Sequence, residues 1–413
     1  MGSTRDSFYS FRPSPNGLNQ SLLLWAKESL GNSTVYPCFP LHCSPCGEFY
    51  PYGRVYYALK PHGRPMLLLS PLPINLLALD FPGVTAFVSK LGWPKYRARQ
   101  ILRWVYQSRI RDIHQMTDLA LQDREYLQSF VTIGRGSKPR VLQSGDGTRK
   151  FLLPLEDGGT IESVLIPEGR RVTLCVSTQV GCTLDCTFCL TGQMGLKRNL
   201  RAHEIVEQVL TAQDHLSPSG HITSLVFMGM GEPLANLDEV SDAIHRLTNT
   251  QWGLGFSPRR ITISTAGLAT RLHETAGLGV NLAISLNATT NEQRGRLMPR
   301  VNQLHPLPEL LDACRTYPLS RGRRLTFEYV LLGGENDSAT DAKRLAKLLK
   351  GIRCKINLIP FNEFPGNPFR RPDEAVVIQF QSLLRQSHFD VFIRKSRGRD
   401  ILGACGQLGD LPL

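Results

Sequence analysis

The sequence predicts an α/β fold: a parallel sheet curved into a partial (β/α)6 barrel, with a small N-terminal helical accessory domain and a β-hairpin linker. Three observations point to it. From Val172 onward, β-type and helical runs alternate. Candidate motifs fall just past the ends of those strands, where the sites of α/β barrels form. At 413 residues the chain is long enough to bury a large core.

Composition narrows the class. With 41% hydrophobic and 20% charged residues, the chain reads as globular. No apolar run approaches the roughly 18 residues of a membrane span, and Leu22–Trp25 is too short for the apolar part of a signal peptide. A cytoplasmic protein with no membrane partner is expected. Its ten cysteines then suit metal or redox chemistry better than disulfide staples. A net charge of +13 favours a polyanionic partner, nucleic acid first.

Residues 1–75 are rich in Pro, Gly, Ser and Asn and show no sustained period, so they read as a disordered extension or as sequence ahead of the true start. Cys38, Cys43 and Cys46, with His42, have zinc-like spacing but no patterned scaffold around them. Residues 76–135 form the helical domain. Val84–Leu91 is one helix; Gly92-Trp93-Pro94 makes a turn; Tyr96–Tyr106 is a second, with Ile101, Leu102, Val105 and Tyr106 at helical spacing. Its opposite face carries Arg97, Arg99 and Arg103, which suits either RNA contact or a solvated face. In the 136–170 linker, turn signals at Gly145-Asp146-Gly147 and Asp157-Gly158-Gly159 flank strands Lys150–Leu155 and Thr160–Ile166. Residues 171–413 form the barrel. Its strands are Val172–Ser177, Ser224–Met228, Arg260–Ser264, Leu282–Leu286, Leu325–Leu331 and Lys355–Ile359. Between and after them lie helices Ala202–Leu216, Leu237–Thr250, Ala339–Leu349 and Asp373–Arg385.

Past the first strand, Cys182, Cys186 and Cys189 share one short loop as C-x3-C-x2-C. A structural zinc wants four ligands, and so does an ordinary [4Fe–4S] cluster. Three thiolates leave one iron open, the signature of radical S-adenosylmethionine (SAM) enzymes. The alternatives are a zinc knuckle completed by Cys175 or Cys405, or simply three buried cysteines. Past the second strand, Gly229–Pro233 allows close backbone approach, and Glu232 offers a carboxylate to a cation such as the SAM ammonium. Ser264-Thr265-Ala266-Gly267 and Ser285-Leu286-Asn287 put small polar groups past strands three and four, and Pro360-Phe361-Asn362 suits an adenine. Cys405 is flanked by small residues, whereas Cys314 and Cys354 read as packing residues.

Together these segments resemble the RlmN-type radical SAM RNA adenine methyltransferases. The segments that carry the resemblance are Tyr96-Arg97-Ala98-Arg99-Gln100, Ile161-Glu162-Ser163-Val164, Thr173-Leu174-Cys175-Val176-Ser177, the three-cysteine loop, Gly229–Pro233, Ser264–Gly267, Leu358-Ile359-Pro360-Phe361-Asn362 and Ala404-Cys405-Gly406-Gln407. The match runs from about Leu77 to the C-terminus, with one departure: Asn287 stands where relatives usually carry histidine.

The resemblance implies that Cys182, Cys186 and Cys189 hold a [4Fe–4S] cluster and that Gly231, Glu232, Ser264, Ser285, Leu286, Asn287 and Asn362 line the SAM site. It implies a ping-pong methylation of adenine carbon 2 using two SAM per turnover. Cys405 carries the methyl, Glu162 accepts a proton, and Cys175 releases the product, leaving a Cys175–Cys405 disulfide. Implied substrates are an adenosine in the peptidyl-transferase centre of 23S rRNA and the adenosine 3′ of the anticodon in tRNA. An electron donor such as flavodoxin or ferredoxin and a monomeric state complete the expectation. Two rival readings are a Cfr-like carbon-8 methyltransferase and a non-catalytic, zinc-containing RNA-binding protein.

Overall fold

The computed structural model describes residues 73–134, 136 and 138–409, together with the backbone of two short strands, β1 (Tyr56–Leu59) and β2 (Pro65–Leu68). These two pair antiparallel, Tyr56 opposite Leu68. The reading of Cys38, Cys43 and Cys46 lies outside the described residues.

The helical region begins with α1 (Phe81–Lys90), whose N-terminus is capped by Asp80 Oδ1 accepting from the Gly83 amide at 2.7 Å. In α2 (Tyr96–Tyr106), Ala98, Ile101, Leu102, Val105 and Tyr106 are fully buried, while Arg99 and Arg103 face solvent. Arg97 differs: it donates to the Asp118 carbonyl at 2.8 Å and holds the following loop. The third helix, α3 (Leu121–Gln128), was not expected; it buries only Leu127, so its sequence carries no helical period.

A separate ten-stranded sheet begins with β3 (Arg140–Gln143), β4 (Arg149–Pro154), β5 (Thr160–Glu168) and β6 (Arg171–Cys175), each antiparallel to the next. β7 (Gln179–Gly181) and β8 (Leu196–Asn199) form a separate ribbon around the three-cysteine loop. Helix α4 (Ala202–Asp214) leads to β9 (Ser224–Phe227), and α5 (Leu237–Thr248) to β10 (Ile261–Thr265) and β11 (Asn281–Ser285). Three short helices follow, α6 (Asn291–Leu297), α7 (Pro299–Leu304) and α8 (Leu307–Thr316), then β12 (Leu325–Leu331), α9 (Ala339–Leu349), β13 (Cys354–Pro360), α10 (Glu374–Gln386) and β14 (Val391–Ile393). The ten-stranded sheet has the spatial order β14-β13-β12-β11-β10-β9-β6-β5-β4-β3, and neighbours from β14 to β6 are parallel.

The α/β barrel is therefore present with two differences from the sequence reading. A seventh parallel strand, β14, closes the far edge; only three residues long and half exposed, it has no readable pattern. The hairpin of β4 and β5 is not a free-standing connection but an extension of the barrel sheet, with Val164 directly opposite Cys175. Strand β12 is buried almost throughout, as a parallel strand covered on both faces must be. The helical region docks on α5 through Arg246, which donates to the Leu77 carbonyl at 2.7 Å and to Tyr106 Oη at 3.3 Å.

Candidate active site

Two loops and the strand ends between them make the site. Residues Cys182, Cys186 and Cys189 pack against an apolar cluster that includes Leu184, Phe188, Ala266, Leu297, Met298 and Phe361. The loop is pinned by α6 and α7: the Thr187 amide donates to the Leu297 carbonyl at 3.0 Å, and Asp185 Oδ1 accepts from the Arg300 amide at 3.1 Å. Gly192 lies under the loop, where a Cβ would come within 2.9 Å of the Cys186 carbonyl oxygen. Burial pushes the Cys182 thiol up to about 12, and raises Cys189 and, well above its ordinary value, Cys186. Three adjacent thiolates become favourable in such a place only around a cationic centre.

That donor set fits a [4Fe–4S] cluster. Three soft sulfurs come from one loop, and the Leu184 amide donates to Cys182 Sγ at 3.4 Å, the kind of bond that tunes an iron–sulfur centre. Zinc fits less well. A closed tetrahedral zinc site needs four ligands, and this loop supplies three.

The strand ends form the rim. Gly229 sits on the end of β6, where a Cβ would meet Ser177 Oγ at 2.6 Å. Gly231 has φ +100°, and the Gln179 side chain fills the space a Cβ would take. Gln179 Oε1 also accepts from the Glu232 amide at 2.9 Å, fixing this turn. Both Glu232 carboxylate oxygens already accept backbone amides, Leu234 at 3.0 Å and Ala266 at 2.8 Å. Its first task is thus to join two strand-end loops, and burial still raises its pKa. Spare lone pairs on each oxygen leave it able to accept from a cation. Ser264 Oγ lies 3.3 Å from Ser285 Oγ, so these two hydroxyls form one polar patch. Leu286 is fully buried. Asn287 has φ +56°, a left-handed conformation that asparagine tolerates better than most residues. Its Oδ1 accepts from the Val330 amide at 2.9 Å and its carbonyl accepts from Asn336 Nδ2 at 2.8 Å, so its side chain serves the fold and a ligand would be met by the backbone.

Cys175 and Cys405, 230 residues apart, are brought together at the end of β6. Both are free thiols. Burial pushes Cys175 up to about 12, and the nearby Cys405 adds to the rise. Cys405 is accessible, yet the protein packed around it also pushes its thiol up to about 12, with Glu328 and Cys189 adding. The Cys405 carbonyl accepts from Asn362 Nδ2 at 3.1 Å, and the Leu190 amide donates to the Gly406 carbonyl at 2.8 Å, which joins this loop to the three-cysteine loop.

Glu162 is buried on β5. Its Oε1 accepts from Lys150 Nζ at 2.9 Å and its Oε2 from the Gly409 amide at 3.1 Å. Lys150, Glu328 and Gln179 escaped the sequence reading. For Lys150 a signal existed: the Asp157-Gly158-Gly159 turn sets the hairpin register, which puts Lys150 opposite Val164 and diagonal to Glu162.

Comparison with known proteins shows the family and the fold. A family model described as the ribosomal RNA large subunit methyltransferase N-terminal domain matches residues 74–133, and the radical SAM superfamily model matches residues 176–346. A dual-specificity RNA methyltransferase RlmN from Syntrophus aciditrophicus is 48% identical over 341 residues, covering 82% of this chain and 97% of the relative. One from Geobacter sulfurreducens is 49% identical over 336 residues, covering 81% and 92%. The crystal structure of a radical SAM methyltransferase from Sphaerobacter thermophilus matches with TM-score 0.77 at 41% identity, covering 81% of this chain and 99% of that one.

Proposed function

The chain belongs to the RlmN family of radical SAM RNA methyltransferases, and from that premise we propose how its own residues divide the work. It is a SAM-dependent RNA methyltransferase with a [4Fe–4S] cluster. The target we assign is carbon 2 of adenosine, in the peptidyl-transferase centre of 23S rRNA and 3′ of the anticodon in tRNA; the dual specificity in the relatives' names supports both. The helical region, residues 76–135, contacts RNA through the exposed Arg99 and Arg103, while Arg97 braces the fold. Among the described residues no helix is long and apolar enough to cross a membrane. A cytoplasmic monomer reduced by flavodoxin or ferredoxin is the setting we propose.

Cys182, Cys186 and Cys189 would hold the cluster. Glu232, the Ser264–Ser285 patch, the backbone at Gly231, Leu286 and Asn287, and Asn362 would hold SAM. When bound, these groups supply methyl and one-electron chemistry, which an electron-poor ring carbon requires. The protein's own part rests on one observation: Cys175 and Cys405 share the end of β6, beside the loop that would carry the cluster. Cys405 Sγ carries the methyl carbon and then joins it to adenine. Glu162 accepts the carbon-2 proton. Cys175 Sγ attacks Cys405 Sγ, so that a sulfur–sulfur bond forms as the sulfur–carbon bond breaks, its electron pair staying with the RNA-bound carbon, which takes up a proton to become the methyl group. Both thiols lie far above neutral pH, so each must lose its proton to a base before it reacts.

Nucleoside mass spectrometry of rRNA and tRNA from cells with and without the protein tests the target. The proposal expects 2-methyladenosine that depends on the chain. Appearance of 8-methyladenosine instead would move the assignment to a Cfr-like activity.

A further inference from the structure

We propose that the buried Lys150–Glu162 ion pair is a clamp that sets the Cys405 loop, making Lys150 a positioning residue for the reaction. The proposal builds on Cys405 as the methyl carrier, but its geometry stands apart from that reading.

The sheet register places the pair. Lys150, Val164, Cys175 and Val226 lie in one row across β4, β5, β6 and β9, on one face of the sheet. Glu162, two residues from Val164, shares that face. The Lys150 and Glu162 side chains are only 1% and 6% exposed. A buried ion pair contributes little net stability compared with apolar residues of the same shape, so its presence calls for another role.

The pair's remaining bonds supply one. Lys150 Nζ also donates to the Leu402 carbonyl at 3.3 Å, and Glu162 Oε2 accepts from the Gly409 amide at 3.1 Å. One ion pair thus grips both ends of the segment that carries Cys405. Leu402 has φ +50°, a conformation a leucine keeps only where its surroundings impose it. The turn between β3 and β4 reinforces the same end: Ser144 Oγ donates to Asp400 Oδ1 at 2.6 Å, and Asp146 Oδ2 accepts from the Gly398 amide at 3.0 Å. The hairpin is therefore the bed on which the Cys405 loop lies.

Hydrogen exchange of the full-length, cluster-loaded protein tests the clamp. Lys150→Met should speed exchange across residues 398–409 by about tenfold or more while β12 stays protected. Glu162→Gln keeps only one acceptor oxygen and should give a smaller rise in the same segment. Where Lys150→Met fails to fold, Lys150→Met/Glu162→Leu decides, because it removes both charges together. Lys150→Arg, which keeps the charge, should restore much of the protection. The kcat for RNA methylation by Lys150→Met should fall by about 100-fold, the effect of a misplacement near 1 Å, with the KM for RNA unchanged. Wild-type exchange at 398–409 in the folded double variant would overturn the clamp. A Cys405 that never carries methyl would leave these exchange rates as predicted, so the two readings fail separately.

Discussion

The loop of Cys182, Cys186 and Cys189 and the loop of Cys405 meet at the mouth of the barrel, joined by the Leu190–Gly406 bond, yet they are held by different forces. The first is seated in an apolar cluster and pinned by backbone bonds to α6. The second is held by carboxylates, a hydroxyl, an ammonium and an amide from elements that lie up to 256 residues away in sequence. Apolar seating tolerates loss of a polar side chain, whereas a polar clamp depends on each partner. The two loops should therefore answer mutation differently.

The largest effect is expected in the first loop and should be purely chemical. Cys186→Ala should lose its iron and about 1,000-fold or more of its methylation, as when a group on which catalysis depends is removed. Its thermal transition should stay close to wild type, because the apolar cluster remains. Collapse of the fold together with the iron would erase the contrast between the loops.

Next in size is the clamp. Lys150→Met takes the Lys150 ammonium away from the buried Glu162 carboxylate and should cost about 3–5 kcal/mol in denaturant unfolding, most of it recovered in Lys150→Met/Glu162→Leu. Equal stability of the two variants would mean that the pair is not coupled. Gly192→Ala sharpens the other side of the comparison. Its Cβ would press on the Cys186 backbone, so about 1–3 kcal/mol should be lost by overpacking, with a smaller rise in exchange at 398–409 than Lys150→Met gives.

The smallest effect is pH-dependent. Burial pushes the Asp146 carboxyl up, but the donors around it, Thr148 and Gly398 among them, win and hold it at about 2, below its ordinary 3.8. A folded-state pKa below the unfolded one stabilises above the unfolded value and is lost as pH falls through the folded value. Exchange at 398–403 should therefore quicken between about pH 4 and pH 2, by under about 1 kcal/mol because the group is exposed. Asp146→Asn should flatten that dependence.

The same contrast explains what was legible in the sequence. Strand β12 and helix α9 were placed residue for residue, because one is a continuous apolar run and the other opens on a Ser338–Asp341 capping box. The three-cysteine loop announced itself by spacing. Strand β14 and helix α3 stayed hidden, being too short or too polar to carry a period. Cys405 stands out by its small flanking residues but takes its role only from the resemblance, and Glu162 is marked by resemblance alone, since no local pattern ties residue 162 to residue 409. Lys150 went unremarked because a lysine in a hairpin reads as solvated until its register is worked out. Long-range polar ties leave no periodic trace.

The division of labour between the two redox cysteines is the central claim, and the Cys175→Ala protein incubated anaerobically with RNA, SAM and reductant tests it most directly. Cys405 remains able to take the methyl and join adenine, but nothing attacks its sulfur to release the product. A slow-migrating band on denaturing electrophoresis should accumulate, sensitive to RNase and absent from Cys405→Ala, because a carbon–sulfur bond survives denaturation. A Cys175→Ala protein that turns over freely and forms no such band would contradict it.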